Sequence, residues 1–276
     1  MDTKSEHKPT DEGRDVNGRT EEGEGGDFVR SLARGLAVLK AFDRDDPAMT
    51  LSDVARKTGL SRAAAGRFLK TLVTLGYASF DGRDFRLRPR VLELGTAYFS
   101  SHSFVDIASP LLKQAADKAR EPCSMAVLDG GEIVYVARHT ANRMMSITIP
   151  IGKRYPAHST SLGRVLMGAL PDEELEAMID AAELKQVTPF TVTDKAELKA
   201  MILSGREQGY QVAESQLEVG ILSVAVPVRD GGGKVIAAIN MGVPSSRHDR
   251  TSLELELLPI LQETAAEIAL ALGSGR

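Results

Sequence analysis

An α+β chain in two parts is the fold class the sequence predicts: a small helical unit closed by a β-hairpin, then a larger antiparallel sheet carrying helices. Three observations predict it. Apolar residues recur at spacings of three and four through the first part and give way to alternating, turn-bounded strands in the second. Capping residues and glycine stops punctuate both. Charge is segregated: residues 1–27 carry 4 Lys/Arg against 9 Asp/Glu, residues 28–90 carry 13 against 6, and the rest carries 17 against 23.

Composition narrows the function classes. The 276 residues, 42% hydrophobic and 26% charged, suit a folded chain of one large domain or two ordinary ones. No apolar run reaches the roughly 18 residues of a membrane span, and the N-terminus lacks a basic segment followed by an apolar core, so no secretory signal is expected. The one cysteine, Cys123, excludes an internal disulfide and a cysteine-rich metal site. A cytoplasmic setting follows, with no metal or cofactor expected, because the histidines are scattered.

Residues 1–27 offer only Met1 and Val16 to a core, so an acidic disordered tail is expected there. Phe28, Leu32, Leu36, Leu39 and Phe42 then line one face of a first helix, ended by Asp45-Asp46-Pro47. Thr50 and Asp53 form a capping box for a short second helix, Leu51 to Lys57, closed by Gly59. Ser61 caps a third, from Arg62 to about Leu75, with Phe68, Leu69, Leu72 and Leu75 facing inward. Gly76 stops it, and two short strands flank Asp81-Gly82. Three helices and a hairpin over residues 28–90 make a winged helix-turn-helix, with small Ala55, Gly59 and Ala65 permitting the tight turn.

The net of +7 on that block points to duplex DNA as partner. In this motif the third helix enters the major groove, so Ser61, Arg62 and Arg67 are the candidates for base edges and Lys70 for phosphate. Arg83, Arg86 and Arg88 on the hairpin are assigned to the DNA backbone or minor groove.

A linker helix is expected over 91–103 and a second domain over 104–276, opening on an amphipathic helix with Pro110 near its first turn. Strands follow at Ser124–Leu128, Ile133–Ala137 and Met145–Ile149, then helices at Thr160–Leu170, Glu173–Ala182 and Lys195–Gln208, the last opened by Asp194 and Glu197. A second hairpin, Ser223–Val228 with Val235–Met241, turns at Asp230–Gly233. Thr251 and Glu254 open a final helix in which Pro259 implies a kink or a late start.

Phe28–Leu39 resembles the opening helix of IclR-type transcriptional regulators, Leu51–Ala65 their helix-turn-helix, and Arg154–Leu166 (RYPAHSTSLGRVL) their effector-domain signature. Within that family the chain is most similar to regulators of protocatechuate and p-hydroxybenzoate catabolism in the β-ketoadipate pathway. The resemblance implies a GAF-like effector domain, a homodimer or pair of dimers, a pseudopalindromic operator, and a small aromatic or dicarboxylic acid as effector. Carried over by position, it places the effector pocket around Met144, Ile147, Tyr155, Ser161, Leu162, Ser223 and Asn240. Arg138, His139, Arg154 and His158 lie in neighbouring segments and are candidates to add positive charge, beside a helix N-terminus near Thr160 suited to a carboxylate. The chain departs from the subgroup at Gly66, at Ser223 in place of a cysteine and at Asn240 in place of a serine, so ligand specificity does not simply carry over.

An enzyme and a protein-docking adaptor are the competing classes. No Gly-x-Ser-x-Gly elbow is present, and Gly231-Gly232-Gly233 sits between two strands as a turn rather than before a helix. Tyr155 and His158 also admit plain structural roles, and Met144 and Ile147 a place in the core.

Overall fold

The computed structural model describes residues 28–101, 104–140 and 149–273. The expected tail, residues Met144 and Ile147, and nearly all of the expected strand Met145–Ile149 lie outside them. The chain divides between Tyr98 and Phe99 into two compact units, inside the segment expected as the linker.

The first unit contains α1 (Arg30–Lys40), β1 (Ala48–Thr50), α2 (Leu51–Thr58), α3 (Arg62–Thr74), β2 (Ala78–Phe80) and β3 (Asp84–Leu87). Thr50 and Asp53 cap α2 reciprocally. Gly59 supplies the left-handed turn at φ 69°, and Ser61 accepts the Ala64 amide at 3.2 Å to start α3. Hairpin strands β2 and β3 are joined by β1 in the antiparallel order β1-β3-β2, a third strand the sequence reading does not anticipate. Val38, Met49, Val54, Ala65, Leu69 and Phe85 form the core. Two expectations are corrected here. Phe28, Leu32 and Leu36 are exposed, because α1 turns Val38 inward instead, and Leu75 is exposed where an inward side chain was expected.

α4 (Leu92–Ser101) spans the division point. The second unit then contains α5 (Phe104–Ala119), β4 (Cys123–Asp129), β5 (Glu132–His139), β6 (Arg154–Pro156), α6 (Ser161–Gly168), α7 (Asp172–Ala181) and α8 (Lys195–Gln208). It ends with β7 (Gln211–Glu214), β8 (Ile221–Arg229), β9 (Val235–Pro244), a single turn α9 (Arg250–Ser252) and α10 (Leu258–Gly273). The six strands form one antiparallel sheet in the order β6-β5-β4-β9-β8-β7. α5 and α10 pack with one layer of core, through Leu112, Met125, Ile239, Leu261 and Ile268. α6, α7 and α8 pack with the other, where the small side chains Ala126, Ala225 and Ala238 let α6 lie close.

Pro110 is the seventh residue of α5, inside the helix rather than in its first turn, and removes one backbone donor from it. The last helix is capped by Asp249 with Ser252, not by Thr251 with Glu254. A π-turn over Leu253–Leu257 separates α9 from α10, so Pro259 stands second in α10. The wider turn moves the carbonyl that a proline ring would otherwise meet four residues back.

Candidate functional site

The second unit holds a cavity of about 180 Å³ beside the N-terminus of α6. Thr160 caps that helix, its hydroxyl accepting the Gly163 amide at 2.9 Å, which leaves the first amides at Ser161 and Leu162 outside the intrahelical ladder. Gly163 is required: a Cβ there would stand 2.2 Å from the Ala157 carbonyl oxygen. The Ser161 and Ser223 hydroxyls meet at 3.0 Å across the wall, joining α6 to β8.

Arg138 comes from β5, and its Nη1 donates to Ser124 Oγ at 2.8 Å. Burial holds its guanidinium below the usual arginine range. Asn240 on β9 pairs in register with that same Ser124. Tyr135 and Tyr155 meet edge to face at 6.0 Å. Burial pushes the Tyr135 phenol up to about 12 and raises Tyr155 in the same direction, so both rings present neutral hydroxyls. Further round the wall, Glu121 is buried and held by Arg247 at 3.2 Å.

Five of the expected pocket residues therefore line the cavity: Arg138, Tyr155, Ser161, Ser223 and Asn240. Four do not. Leu162 is fully buried in the core beneath α6. His139 hydrogen-bonds Ser109 of α5 at 2.9 Å, because alternation along β5 turns it away from Arg138. Arg154 points outward and spends its guanidinium on Asp129 and Glu132, both at 2.7 Å. His158 is buried behind the wall, its Nε2 3.1 Å from the Lys185 carbonyl oxygen, and burial lowers its pKa. The helix start near Thr160 lines the cavity as expected, whereas sequence reading misses Tyr135, Glu121, Gln216 and Arg247. Of these four, only Tyr135, in a strand already identified, leaves a signal that could have found it.

The first unit brings a second group together. Arg62, Arg67 and Lys70 are exposed along α3, as are Arg83, Arg86 and Arg88 on the hairpin. Ser61 accepts the Ala64 amide as the cap of α3, which leaves its hydroxyl proton free to donate. Asp81 accepts the Arg83 and Asp84 amides at 3.0 and 2.8 Å, fixing the hairpin tip. The nearest acids approach Arg83 and Arg86 no closer than 4.0 and 3.9 Å, so these side chains are loosely held. Among the described residues, no three His, Cys, Asp or Glu gather as metal ligands, and no helix is long and apolar enough to cross a membrane.

Comparison with known proteins converges with this geometry. Residues 31–82 match the IclR helix-turn-helix domain, and residues 96–270 match the bacterial transcriptional regulator IclR C-terminal domain. The chain is 41% identical to the Pca regulon regulatory protein of Pseudomonas putida, over 88% of this chain and 84% of that one. It is 35% identical to the p-hydroxybenzoate hydroxylase transcriptional activator of Acinetobacter baylyi, over 88% and 91%. An IclR homolog from Microbacterium hydrocarbonoxydans, solved in complex with 4-hydroxybenzoate, is 28% identical with a TM-score of 0.77, covering 89% of this chain and all of that one. A basic helix-turn-helix unit and a cavity-bearing α+β unit, each matched by its own family model, make this chain a member of the IclR family of bacterial transcriptional regulators.

Proposed function

We propose that the cavity binds a small aromatic carboxylate and that this binding sets how tightly the first unit holds its operator. One observation carries the reading: the N-terminus of α6 opens onto a cavity that also holds a desolvated guanidinium and two neutral phenols. Free helix amides and Arg138 suit a carboxylate, while Tyr135 and Tyr155 offer aromatic surface with hydrogen-bonding tips. The 4-hydroxybenzoate in the Microbacterium homolog supports this class of ligand.

α3 reads the DNA, with Arg62 and Arg67 on base edges, and Lys70 and the hairpin arginines on the backbone. The working form is a cytoplasmic homodimer, or a pair of dimers, on a pseudopalindromic operator, and the chain binds its effector without turning it over. The effector acts only as far as it prefers one state of the regulator over another. A thermal-shift screen with protocatechuate, p-hydroxybenzoate, β-ketoadipate and muconates tests this. An effector at 100 times its Kd adds roughly 2.7 kcal/mol of stability. No shift with any of the four overturns the ligand class, whereas a shift with β-ketoadipate or a muconate alone replaces the aromatic acid by a dicarboxylate.

A further inference from the structure

We infer that Gln216 determines specificity in the effector cavity and that Arg164, which does not line it, is the residue that positions Gln216. The inference rests on the effector reading above and adds to it a named contact.

Gln216 lies in the connection between β7 and β8 and forms part of the cavity wall. Its Oε1 receives two donors, Nη2 of Arg164 at 2.8 Å and the Val192 amide at 2.9 Å. Chemistry settles the orientation of the side-chain amide, since the reverse would set an NH2 group against two donors. The Nε2 end is therefore turned away from both and has no protein partner among the described residues. At a cavity-wall position that leaves a donor-only group for an acceptor oxygen on the ligand. The backbone cannot move away easily: the Gln216 carbonyl accepts from Thr191 Oγ1 at 2.7 Å, and the Ser215 carbonyl from Thr188 Oγ1 at 2.5 Å.

Arg164 is fully buried; among the described residues no carboxylate comes within ion-pair distance of it, Glu197 acting on it only through space, and its Nη1 has no partner. An arginine kept in that state is a costly way to fill space, because it gives up hydration for no direct ion pair and only the distant charge of Glu197. Its two hydrogen bonds show what it holds. Nε donates to the His158 carbonyl at 2.8 Å, just before α6, and Nη2 to Gln216. Both acceptors belong to segments that frame the cavity. Arg164 ties them together from behind the wall and sets which face of the Gln216 amide the ligand meets.

Calorimetric titration tests this, with p-hydroxybenzoate first and otherwise whichever of the four acids binds the wild type. In Gln216→Glu one carboxylate oxygen still accepts from Arg164 and Val192, while the other offers the cavity an acceptor where the wild type offers a donor. Binding of an anionic acid should weaken by about tenfold or more. Affinity within about twofold of wild type overturns the assignment of Gln216. The role of Arg164 is read from a double-mutant cycle. Arg164→Met should weaken the acid in the wild-type background but change it less than about twofold in a Gln216→Leu background. An equal loss in both backgrounds means that Arg164 acts on α6 and not through Gln216. Should Arg164→Met fail to fold, Arg164→Lys keeps the charge without the planar fork and enters the same cycle. If the wild type binds none of the acids, the effector reading falls and this inference with it; if the wild type binds and Gln216→Glu is unaffected, only this inference falls.

Discussion

At the scale of single residues, two glycines in helices that look alike in sequence have opposite consequences. A Cβ on Gly66 of α3 meets only the Leu51 methyl groups, at 3.6 Å, which is ordinary contact. Gly66→Ala should therefore stabilise the first unit by up to about 1 kcal/mol through helix propensity. A Cβ on Gly163 of α6 meets backbone at 2.2 Å, and Gly163→Ala should cost on the order of 3 kcal/mol and blunt effector binding. Urea unfolding of the two variants measures both, and equal midpoints would overturn the contrast. The histidines yield a pH prediction. Burial holds His158 and His139 below the ordinary 6.5. Above 6.5 native and unfolded chains are alike neutral there, and the stability is whole. As pH falls through 6.5 toward the lower native values, the unfolded chain takes up protons that the native one refuses, and stability drops. Carboxylates with lowered values, such as Asp53 and Asp172, start from 3.8 and titrate below this window. A urea midpoint that falls from about pH 7 to about pH 5.5, and falls less in His158→Asn, is the expected result. A wild-type midpoint unchanged over that range would sink it.

At the scale of elements, what was legible was what local chemistry writes down. Thr50 with Asp53, Gly59 and Ser61 each announce a helix end through one side chain or one backbone angle, and α2 and α3 fall where those residues put them. β1, β6 and β7 were not legible. With three or four residues, they are too short to show an alternation and exist because a neighbouring strand pairs with them. The cap of the last helix was misread because Asp249 and Ser252 carry the same signal two residues earlier than Thr251 and Glu254. The cavity was half legible. Tyr155 and Ser161 sit in or beside the recognisable signature, whereas Gln216 and Glu121 come from irregular connections with no period to read. The exposed face of α3 carries its own prediction. Arg67 stands on the solvent side, and among the described residues no acid pairs with it. Arg67→Ala should lose about 1–3 kcal/mol of operator binding and relax the preference at one base pair of each half-site. An equal loss on operator and on unrelated DNA would move Arg67 from base edge to phosphate.

At the scale of the whole molecule, the segregation of charge is the feature most directly tied to use. Residues 28–90 hold a net of +7 while residues 91–276 hold −6, so a polyanion is drawn to the helix-turn-helix segment and turned away by the rest of the chain that follows it. Arg62, Arg67, Lys70, Arg83, Arg86 and Arg88 are the exposed cations placed on α3 and the hairpin, and the proposed dimer would present each of them twice. Each phosphate neutralised releases counterion and contributes roughly −0.9 to the slope of log Kobs against log salt. If about half of these side chains meet phosphate, operator binding should fall with a slope near −5. Lys70→Ala, assigned to phosphate in both subunits, should make the slope shallower by about 2 and lower affinity alike for operator and unrelated DNA. Fluorescence anisotropy on an operator fragment across a salt series measures the wild type and the variant together. A wild-type slope shallower than about −2 would mean that this face is a solvated surface and that DNA is held elsewhere. A steep slope left unchanged by Lys70→Ala would keep the face and remove Lys70 from the phosphate contacts, leaving the hairpin arginines to supply them.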